Sequence, residues 1–235
     1  FECLPLTILF DFAAALPSVA HRWIRAVLKA IKIPQGMLNA FNALYRCHEG
    51  KARVGGIFKW LFTVKCGVLQ GCPFSGTLFV LAIDPLLTLF EKYIHTPGLG
   101  QVYACADDIG SALKGLKSLK LVFSLFERFR KASGLTLKPS KCVGIMVSIQ
   151  MNEINLRMIK QFIESIVPEW KHLKLAEKGK YLGVFIGPKL GGVNWEAPMN
   201  KAFARVEEIS ANKPPLALAA RSFNSKALSV LGYIA

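Results

Sequence analysis

Acidic residues are scarce in this chain, and this scarcity makes each of them informative. Fifteen Asp and Glu stand against thirty Lys and Arg in 235 residues, which gives a formal net charge of +15 at pH 7. Asp11 is the only acid between Glu2 and Glu49. A strongly positive charge attracts polyanions, and the phosphate backbone of nucleic acids is the most general candidate. A merely soluble basic surface would have the same composition, so charge alone does not decide.

Several kinds of motif are also missing. The six cysteines contain no C-x-x-C pair, which argues against a zinc site, and scattered single cysteines suit a reducing, intracellular compartment. No uninterrupted apolar run reaches the roughly 20 residues that cross a bilayer, because Asp84-Pro85 interrupts the run Phe79–Phe90. We also find no secretory signal, internal repeat or low-complexity tract. No membrane partner is therefore predicted.

Two of the few acids stand together between short apolar runs. The segment Val102–Leu113 predicts a β-hairpin with Asp107 and Asp108 at its tip. Upstream, the apolar strand Leu6–Phe10 leads directly into Asp11. If this strand lies beside the hairpin, three carboxylates meet at one edge of a sheet. They would repel one another without cations, and oxygen ligands of this kind favour Mg²⁺ or Mn²⁺.

The rest of the pattern predicts a mixed α and β chain. Ser18 is placed to cap a basic amphipathic helix. Strand-like residues flank Gly55-Gly56, which predicts a second hairpin. The segment Lys180–Gly187 predicts one strand, and the Gly- and Pro-rich segment Pro188–Asn194 predicts a boundary before two further helices. Because the chain begins at Phe1 and an element follows almost at once, we expect a fragment of a longer protein.

Five motifs occur in an order that resembles the palm of reverse transcriptases, most closely those of non-LTR (LINE-type) retrotransposons. They are strand-Asp-turn-helix from Leu6, V-x-Q-G-x-P-x-S from Val68, Ala106-Asp107-Asp108, S-G-L-x-L-x-x-S-K from Ser133, and Y-L-G at Tyr181. The resemblance implies an α+β fold with a polymerase-type palm, whose antiparallel sheet is packed by helices. It assigns residues 1–190 to the palm, with part of the fingers around 50–66, and residues 191–235 to the start of a helical thumb.

The same resemblance assigns a catalytic centre. It implies RNA-directed DNA polymerisation, in which a nucleotide is transferred from dNTP to the 3′-hydroxyl of a DNA primer on an RNA template. Asp11 and Asp107 match the metal ligands of the family, and Asp108 matches the adjacent acid. The implied cofactor is a pair of Mg²⁺ ions, with Mn²⁺ as the alternative. The backbone carbonyl of Phe12, where the chain turns, would be a further ligand.

Substrate contacts follow from the resemblance as well. Gln70, Gly71 and Pro73 match the loop that packs against the incoming nucleotide and the template. Ala15 and Leu16 match the pair that floors the sugar pocket. The position of Leu16 is commonly aromatic in the family, where the ring blocks a ribose 2′-hydroxyl, so a leucine weakens the expected preference for dNTP over NTP.

Two further assignments lie downstream. Lys141 matches a lysine that protonates or neutralises the departing pyrophosphate. Tyr181, Leu182 and Gly183 match the primer grip at the junction of palm and thumb. The family also implies action in the nucleus, and a parent polyprotein that supplies the fingers segment before Asp11 and an endonuclease.

Several positions depart from the family pattern, and three hypotheses follow. Pro17, Leu69 and Cys105 replace a common acid, arginine and aromatic residue respectively, which is typical of a drifting copy. The first hypothesis is a two-metal polymerase palm. The second is a non-catalytic remnant that still binds nucleic acid. The third is a partner-binding α+β domain with a solvated Asp-Asp turn, which is what the hairpin alone would favour because aspartates are common in turns.

Overall fold

The computed structural model of the chain describes residues 2–46, 49–188 and 190–232. Its contacts divide it into two compact units, Phe1–Ala176 and Glu177–Ala235. The first unit contains the strand ending at Asp11, the hairpin and the glycine-rich loop. The division falls earlier than the predicted end of the palm at residue 190, and the assignment of palm and thumb stays a prediction.

A five-stranded sheet forms the centre of the first unit. The strands of this unit are β1 (Leu6–Phe10), β2 (Glu49–Val54), β3 (Ile57–Thr63), β4 (Gly100–Cys105), β5 (Asp108–Leu113), β6 (Val143–Met146) and β7 (Lys174–Ala176). The central sheet has the order β4-β5-β1-β6-β7, with β1 antiparallel to both of its neighbours. β2 and β3 form a separate hairpin, as the Gly55-Gly56 signal predicted. The apolar strand before Asp11 is therefore the middle of the sheet.

In the described part of this unit, six α-helices and a short 3-10 helix, Pro168–Trp170, accompany the sheet. The α-helices are α1 (Ala15–Ser18), α2 (His21–Ala30), α3 (Gln35–Tyr45), α4 (Pro73–Phe90), α5 (Ser118–Ser133) and α6 (Glu153–Ile166). A π-helical turn, Glu91–His95, continues α4. By length and composition the continuous helix Pro73–His95 could cross a membrane. Several of its apolar side chains, including Leu78, Phe79 and Phe90, are buried in the core of this unit, while Val80 is exposed.

An aromatic layer lies under β1 and fixes which way Asp11 points. The ring centroid of Phe126 on α5 is 4.8 Å from that of Phe10 and 6.4 Å from that of Phe12. Trp170 closes the layer, with its ring 5.8 Å from Phe10. Side chains alternate between the two faces of a strand. Because Phe10 and Phe12 point towards α5, Asp11 between them is directed to the opposite face.

The predicted cap at Ser18 is wrong, because tertiary hydrogen bonds determine where α2 begins. Ser18 ends the short helix α1, and Ala20 is the N-cap of α2 with extended backbone. The N–H of Ala20 donates to the carbonyl of Ser133 at 2.8 Å, and Ala20 forms an antiparallel bridge with Cys66. These two neighbours hold the chain extended for two residues beyond the position that the local capping preference favours.

The second unit begins with a small hairpin followed by helices. It consists of β8 (Gly179–Tyr181), β9 (Val184–Ile186), α7 (Val193–Ala211), α8 (Leu216–Ser222), a π-helical segment (Phe223–Leu228) and α9 (Ser229–Leu231). The prediction of one strand over Lys180–Gly187 is wrong. Leu182 and Gly183 both have positive φ, +47° and +87°, and reverse the chain between β8 and β9. Two successive positive φ values are typical of the tightest hairpin turns.

Candidate active site

The sheet brings the three predicted acids to one end. β1 pairs with β5 up to Phe10, which lies opposite Ile109, and Asp11 and Asp108 are the residues next to this last pair. Asp107 is in the two-residue turn between β4 and β5, after Ala106 with φ of +54°. Cross-strand partners point to the same face. The carboxylates of Asp11 and Asp108 therefore share the face opposite the aromatic layer.

The electrostatics of Asp108 reflect this crowding. Partial burial, and then the carboxylates of Asp107 and Asp11, raise the pKa of Asp108 above its ordinary value. Each of these causes disfavours the ionised form. All three side chains remain exposed, so solvent screens much of the repulsion. The site is thus a solvent-accessible cluster of negative charge in a chain that otherwise carries a large positive charge.

Replacing Asp108 by Asn should stabilise the fold at neutral pH and not in acid. When folding raises the pKa of an acid, its ionised form lowers the unfolding free energy. This loss grows as the pH rises from the unfolded pKa to the folded pKa. At pH 7 we expect Asp108→Asn to raise the unfolding free energy by no more than about 1 kcal/mol, because the group is exposed. Near pH 3.5, below the unfolded pKa of 3.8, the gain should vanish.

Urea unfolding at the two pH values measures this difference. Asp84→Asn removes the same charge from an exposed position on α4 and should have the same small effect at both. A constant difference between Asp108→Asn and the unsubstituted protein across pH would refute the crowding of the carboxylates.

Lys141 reaches the same carboxylate cluster. Its Nζ lies 3.8 Å from Oδ2 of Asp11, and about half of each side chain is exposed. An exposed pair at this distance contributes at most about 1 kcal/mol, so the lysine can exchange this partner for another anion at little cost. The structure thus sets the predicted lysine beside the first predicted metal ligand.

Cys142 holds the backbone of Asp11 and was missed at the sequence level. The Asp11 N–H donates to Sγ at 3.4 Å, and the thiol lies 3.4 Å from the carbonyl of Lys138, to which it donates. Burial raises the pKa of Cys142 to about 11, so the thiol is neutral at pH 7 and keeps its proton for that bond. Nothing in a scattered cysteine signals such a contact, because its partner is 131 residues away in sequence.

Backbone pairing also orients the Phe12 carbonyl. Phe12 forms an antiparallel bridge with Leu137, flanked by hydrogen bonds from Ala13 N–H to Thr136 O and from Lys138 N–H to Asp11 O, at 2.8 and 2.9 Å. In such a ladder the bridged residue directs its own N–H and C=O to the other side. The Phe12 carbonyl therefore points away from Leu137, towards the side of β1 where the acid hairpin lies.

The glycine-rich loop packs on the turn that follows Asp11. The N–H of Val68 donates to the carbonyl of Leu16 at 3.0 Å, and the N–H of Gly67 donates to Val19 O at 2.8 Å. The carbonyl of Gly67 lies 2.7 Å from Nε2 of His21. These contacts bring together the predicted sugar-pocket pair and the predicted nucleotide loop, which are about fifty residues apart in sequence.

The tip of this loop is exposed while its base is fixed. Gln70 and Gly71 are exposed, and Gly71 has φ of +83°. Leu69 anchors the loop from below, because its N–H donates to the Tyr45 hydroxyl at 3.2 Å and its carbonyl accepts from the Ser75 hydroxyl at 2.6 Å. Pro73 then opens α4 at its first position, where a missing N–H costs nothing. The side-chain amide of Gln70 is therefore exposed on a loop whose base is held by hydrogen bonds, and it can contact a ligand.

The Ser133-Gly134 pair has a structural role in the site. The Ser133 hydroxyl donates to Phe129 O at 2.8 Å and accepts from the Leu135 N–H at 3.1 Å. Gly134 ends α5 with φ of +82°, and a Cβ there would lie 2.9 Å from Ser18 O. This turn delivers the segment that pairs with Phe12.

The predicted primer grip lies in the second unit. Tyr181 ends β8, and Leu182 and Gly183 form the turn of the small hairpin. The hairpin is fixed by Asn194 at the start of α7, whose amide accepts from the Phe185 N–H at 2.6 Å and donates to the Phe185 carbonyl at 3.1 Å. A role for this turn in holding a primer stays a prediction.

The donors fit a hard divalent cation in type. They are carboxylate oxygens with a backbone carbonyl on the same side of β1, the ligands that Mg²⁺ and Mn²⁺ take, and their mutual repulsion would be relieved by a cation. Within residues 2–46, 49–188 and 190–232, no three acidic, imidazole or thiol side chains are gathered closely enough to ligate an ion as they stand. Ligation would require the side chains to turn inward, starting with Asp11, which faces Lys141.

The chain is similar in sequence to proteins of a known family. The family described as reverse transcriptase (RNA-dependent DNA polymerase) matches residues 5–186. The transposon TX1 uncharacterized 149 kDa protein of Xenopus laevis is 25% identical over 205 residues, which cover 84% of this chain and 14% of that protein. The retrovirus-related Pol polyprotein from type-1 retrotransposable element R2 of Nasonia vitripennis is 29% identical over 182 residues, covering 75% and 18%.

A solved structure shares the fold. Apo telomerase from Candida tropicalis superposes with a TM-score of 0.56 and 13% identity, covering 78% of this chain and 31% of that one. The chain spans less than a fifth of the two retroelement proteins. The relatives are retroelement proteins, in agreement with the predicted resemblance to LINE-type enzymes. Because the family match covers most of its length, the chain belongs to the reverse transcriptase (RNA-dependent DNA polymerase) family.

Proposed function

We propose that this chain carries the polymerase centre of a reverse transcriptase that uses two divalent cations. The observation that supports this most is the meeting of Asp11, Asp107 and Asp108 at one exposed end of the central strands, in an otherwise basic chain. Carboxylates are not gathered there by any need of the fold, since all three are exposed. Their repulsion destabilises the free protein and is relieved by bound Mg²⁺ or Mn²⁺.

Each acid has a distinct part in this proposal. Asp11 and Asp107 hold the cations from two neighbouring strands, with Asp108 adding negative charge and the Phe12 carbonyl an uncharged oxygen. Bound divalent cations would lower the pKa of the primer 3′-hydroxyl and would stabilise the negative charge on the attacking and leaving oxygens. Cys142 keeps the backbone at Asp11 in place through its 3.4 Å contact with the N–H. The chain itself therefore supplies the geometry and the negative charge.

The nucleotide is positioned by the loop and the turn that pack together. We propose that Gln70, Gly71 and Pro73 contact the incoming dNTP and the template, while Ala15 and Leu16 floor the sugar pocket. Leu16 is 38% exposed and has no ring, so discrimination against a ribose 2′-hydroxyl should be weak. In the same proposal Lys141 leaves Asp11 and neutralises the departing pyrophosphate.

The proposed partners are an RNA template, a DNA primer and dNTP, with Tyr181, Leu182 and Gly183 gripping the primer. The parent polyprotein would supply the preceding fingers segment and an endonuclease, and would act in the nucleus. The second candidate function is nucleic-acid binding without catalysis, favoured by the departures from the family pattern at Pro17, Leu69 and Cys105.

Primer extension separates the two functions. The purified chain, alone and joined to the fingers segment of its parent polyprotein, is given a labelled DNA primer on an RNA template with dNTP and Mg²⁺. The polymerase proposal expects template-dependent extension that EDTA abolishes. Retained primer–template binding without extension in either form would establish the non-catalytic remnant instead.

A further inference from the structure

The hairpin β2–β3 has two faces of different chemistry. Its register pairs Lys51 with Trp60 and Arg53 with Phe58, and cross-strand partners project to one face. We call the face formed by these four residues the cation–aromatic face. The opposite face carries Ala52 paired with Lys59, Val54 paired with Ile57 and, beyond a bulge, Gly50 paired with the exposed Phe62. Two cations and two rings therefore alternate on the cation–aromatic face, while the opposite face has one of each, Lys59 and Phe62.

The cation–aromatic face is open to solvent. Phe58 is 70% exposed and Trp60 is 59% exposed, and the side chains of Lys51 and Arg53 are exposed as well. Among the described parts of the chain, neither β2 nor β3 packs extensively on another strand or a helix. A two-stranded ribbon is only marginally stable alone. Exposed rings on a projecting ribbon therefore mark a surface that contacts a ligand.

Charge indicates what kind of ligand it contacts. Glu49 at the base of the hairpin pairs with Lys51 at 3.0 Å and is its only acid. The end of β3 also lines a groove of about 500 Å³ in which Arg22, Arg25, Arg46 and Lys65 are the charged residues, with no Asp or Glu among its described lining. A surface of this sign with flat rings suits phosphates and stacked bases rather than an apolar protein segment.

We propose that the cation–aromatic face binds single-stranded nucleic acid, with bases stacked on Phe58 and Trp60 and phosphates near Arg53 and Lys51. Such a mode is tolerant of sequence, since every base has a flat face. This mode does not bind intact duplex, because the bases of a duplex are already stacked on one another. The inference deepens the proposed function, because it gives the chain a second contact for a template strand outside the acidic site.

Binding by the full 235-residue chain to a fluorescein-labelled oligouridylate RNA tests the proposal by anisotropy, without dNTP or divalent cation. Trp60→Leu should weaken binding about tenfold through loss of stacking, and Trp60→Phe should restore most of it. Ile57→Ala, on the opposite face, should change the Kd less than about twofold. Equal Kd values for Trp60→Leu and Trp60→Phe would overturn the proposal.

Arg53 and Lys59 provide a matched pair of charges, because the two exposed side chains project from opposite faces of one hairpin. Arg53→Gln should reduce the slope of log K against log salt by about 0.7, the value of one phosphate contact on a single strand. Lys59→Gln should change it by less than half as much. Equal slopes for the two variants would show unspecific attraction to the whole chain and contradict the assignment to one face.

Two controls distinguish RNA binding at this face from self-association and from a general effect of removing an acid. If sedimentation shows a dimer that Trp60→Leu dissociates while RNA binding is unchanged, the face joins two copies and the proposal is wrong. Asp84→Asn, which removes an exposed acid of α4 outside both proposed sites, should bind the RNA as well as the unsubstituted chain does. Failure of the polymerase proposal would appear in the extension and metal-binding assays, and the RNA-binding measurement uses neither dNTP nor divalent cation.

Discussion

Replacing Asp107 by Asn should lower the rate of RNA-templated primer extension at least about 10³-fold, because metal ligation supplies several kcal/mol of transition-state stabilisation. The amide keeps the size of the carboxylate and its place in the β4–β5 turn. It removes the charge that holds a cation. The measurement is the single-turnover extension rate of the chain joined to the fingers segment proposed for its parent polyprotein, at saturating dNTP and Mg²⁺.

Asp107→Asn should slow the chemical step and should not weaken binding of the primer–template. Removing an acid makes a basic chain more basic, so affinity for the primer–template should not fall. Asp84→Asn makes the same substitution at an exposed position of α4 and should extend primers as the unsubstituted protein does. Undiminished extension by Asp107→Asn, in the same preparation, would refute the assignment of this acid.

Replacing Gly67 by Ala should destabilise the first unit by about 2–5 kcal/mol, from left-handed backbone and from steric overlap together. Gly67 has φ of +89°, and a Cβ there would lie 2.9 Å from the carbonyl oxygen of Pro17 and 3.1 Å from its Cα. Backbone atoms cannot move aside as a flexible side chain can. The loop would have to shift away from the turn after Asp11, with which Gly67 and Val68 form hydrogen bonds.

Gly71 provides the matched control in the same loop. Its φ is +83°, yet a Cβ there would meet no heavy atom within 4 Å. Gly71→Ala should therefore lower the unfolding free energy only through the strain of a left-handed backbone, by about 1–2 kcal/mol. Thermal unfolding followed by near-ultraviolet circular dichroism compares the two, and Gly67→Ala should also reduce extension more than its stability loss explains. Equal losses of stability would show that the loop does not pack on Pro17.

The local parts of the site could be predicted from the sequence. Apolar runs of strand length and the turn at Asp107 are short-range signals, and both hairpins of the first unit were found in this way. The pairing of β1 with β5 joins residues about one hundred positions apart and was expected only because the order of motifs resembles a known family. Periodicity shows that a strand has a buried face and does not show which strand lies beside it.

What could not be predicted depends on distant partners or on backbone geometry. Ser18 has the right side chain for a cap, but hydrogen bonds from Ala20 to a distant helix end decide where α2 begins. Leu182 adopts a positive φ that leucine rarely takes, so the turn in the second unit had no residue signal at its first position. The contact of Cys142 with Asp11 is tertiary and leaves no pattern at all.

Mn²⁺ binding, followed by the loss of the free-ion electron paramagnetic resonance signal, tests the central claim most directly. We expect the unsubstituted chain to bind Mn²⁺ in a form that Mg²⁺ displaces, and Asp84→Asn to bind it equally well. Asp11→Asn and Asp107→Asn should each abolish this binding, although Asp11 follows β1 and Asp107 lies in the turn between β4 and β5. Binding that survives both substitutions would contradict the claim that these carboxylates share divalent cations.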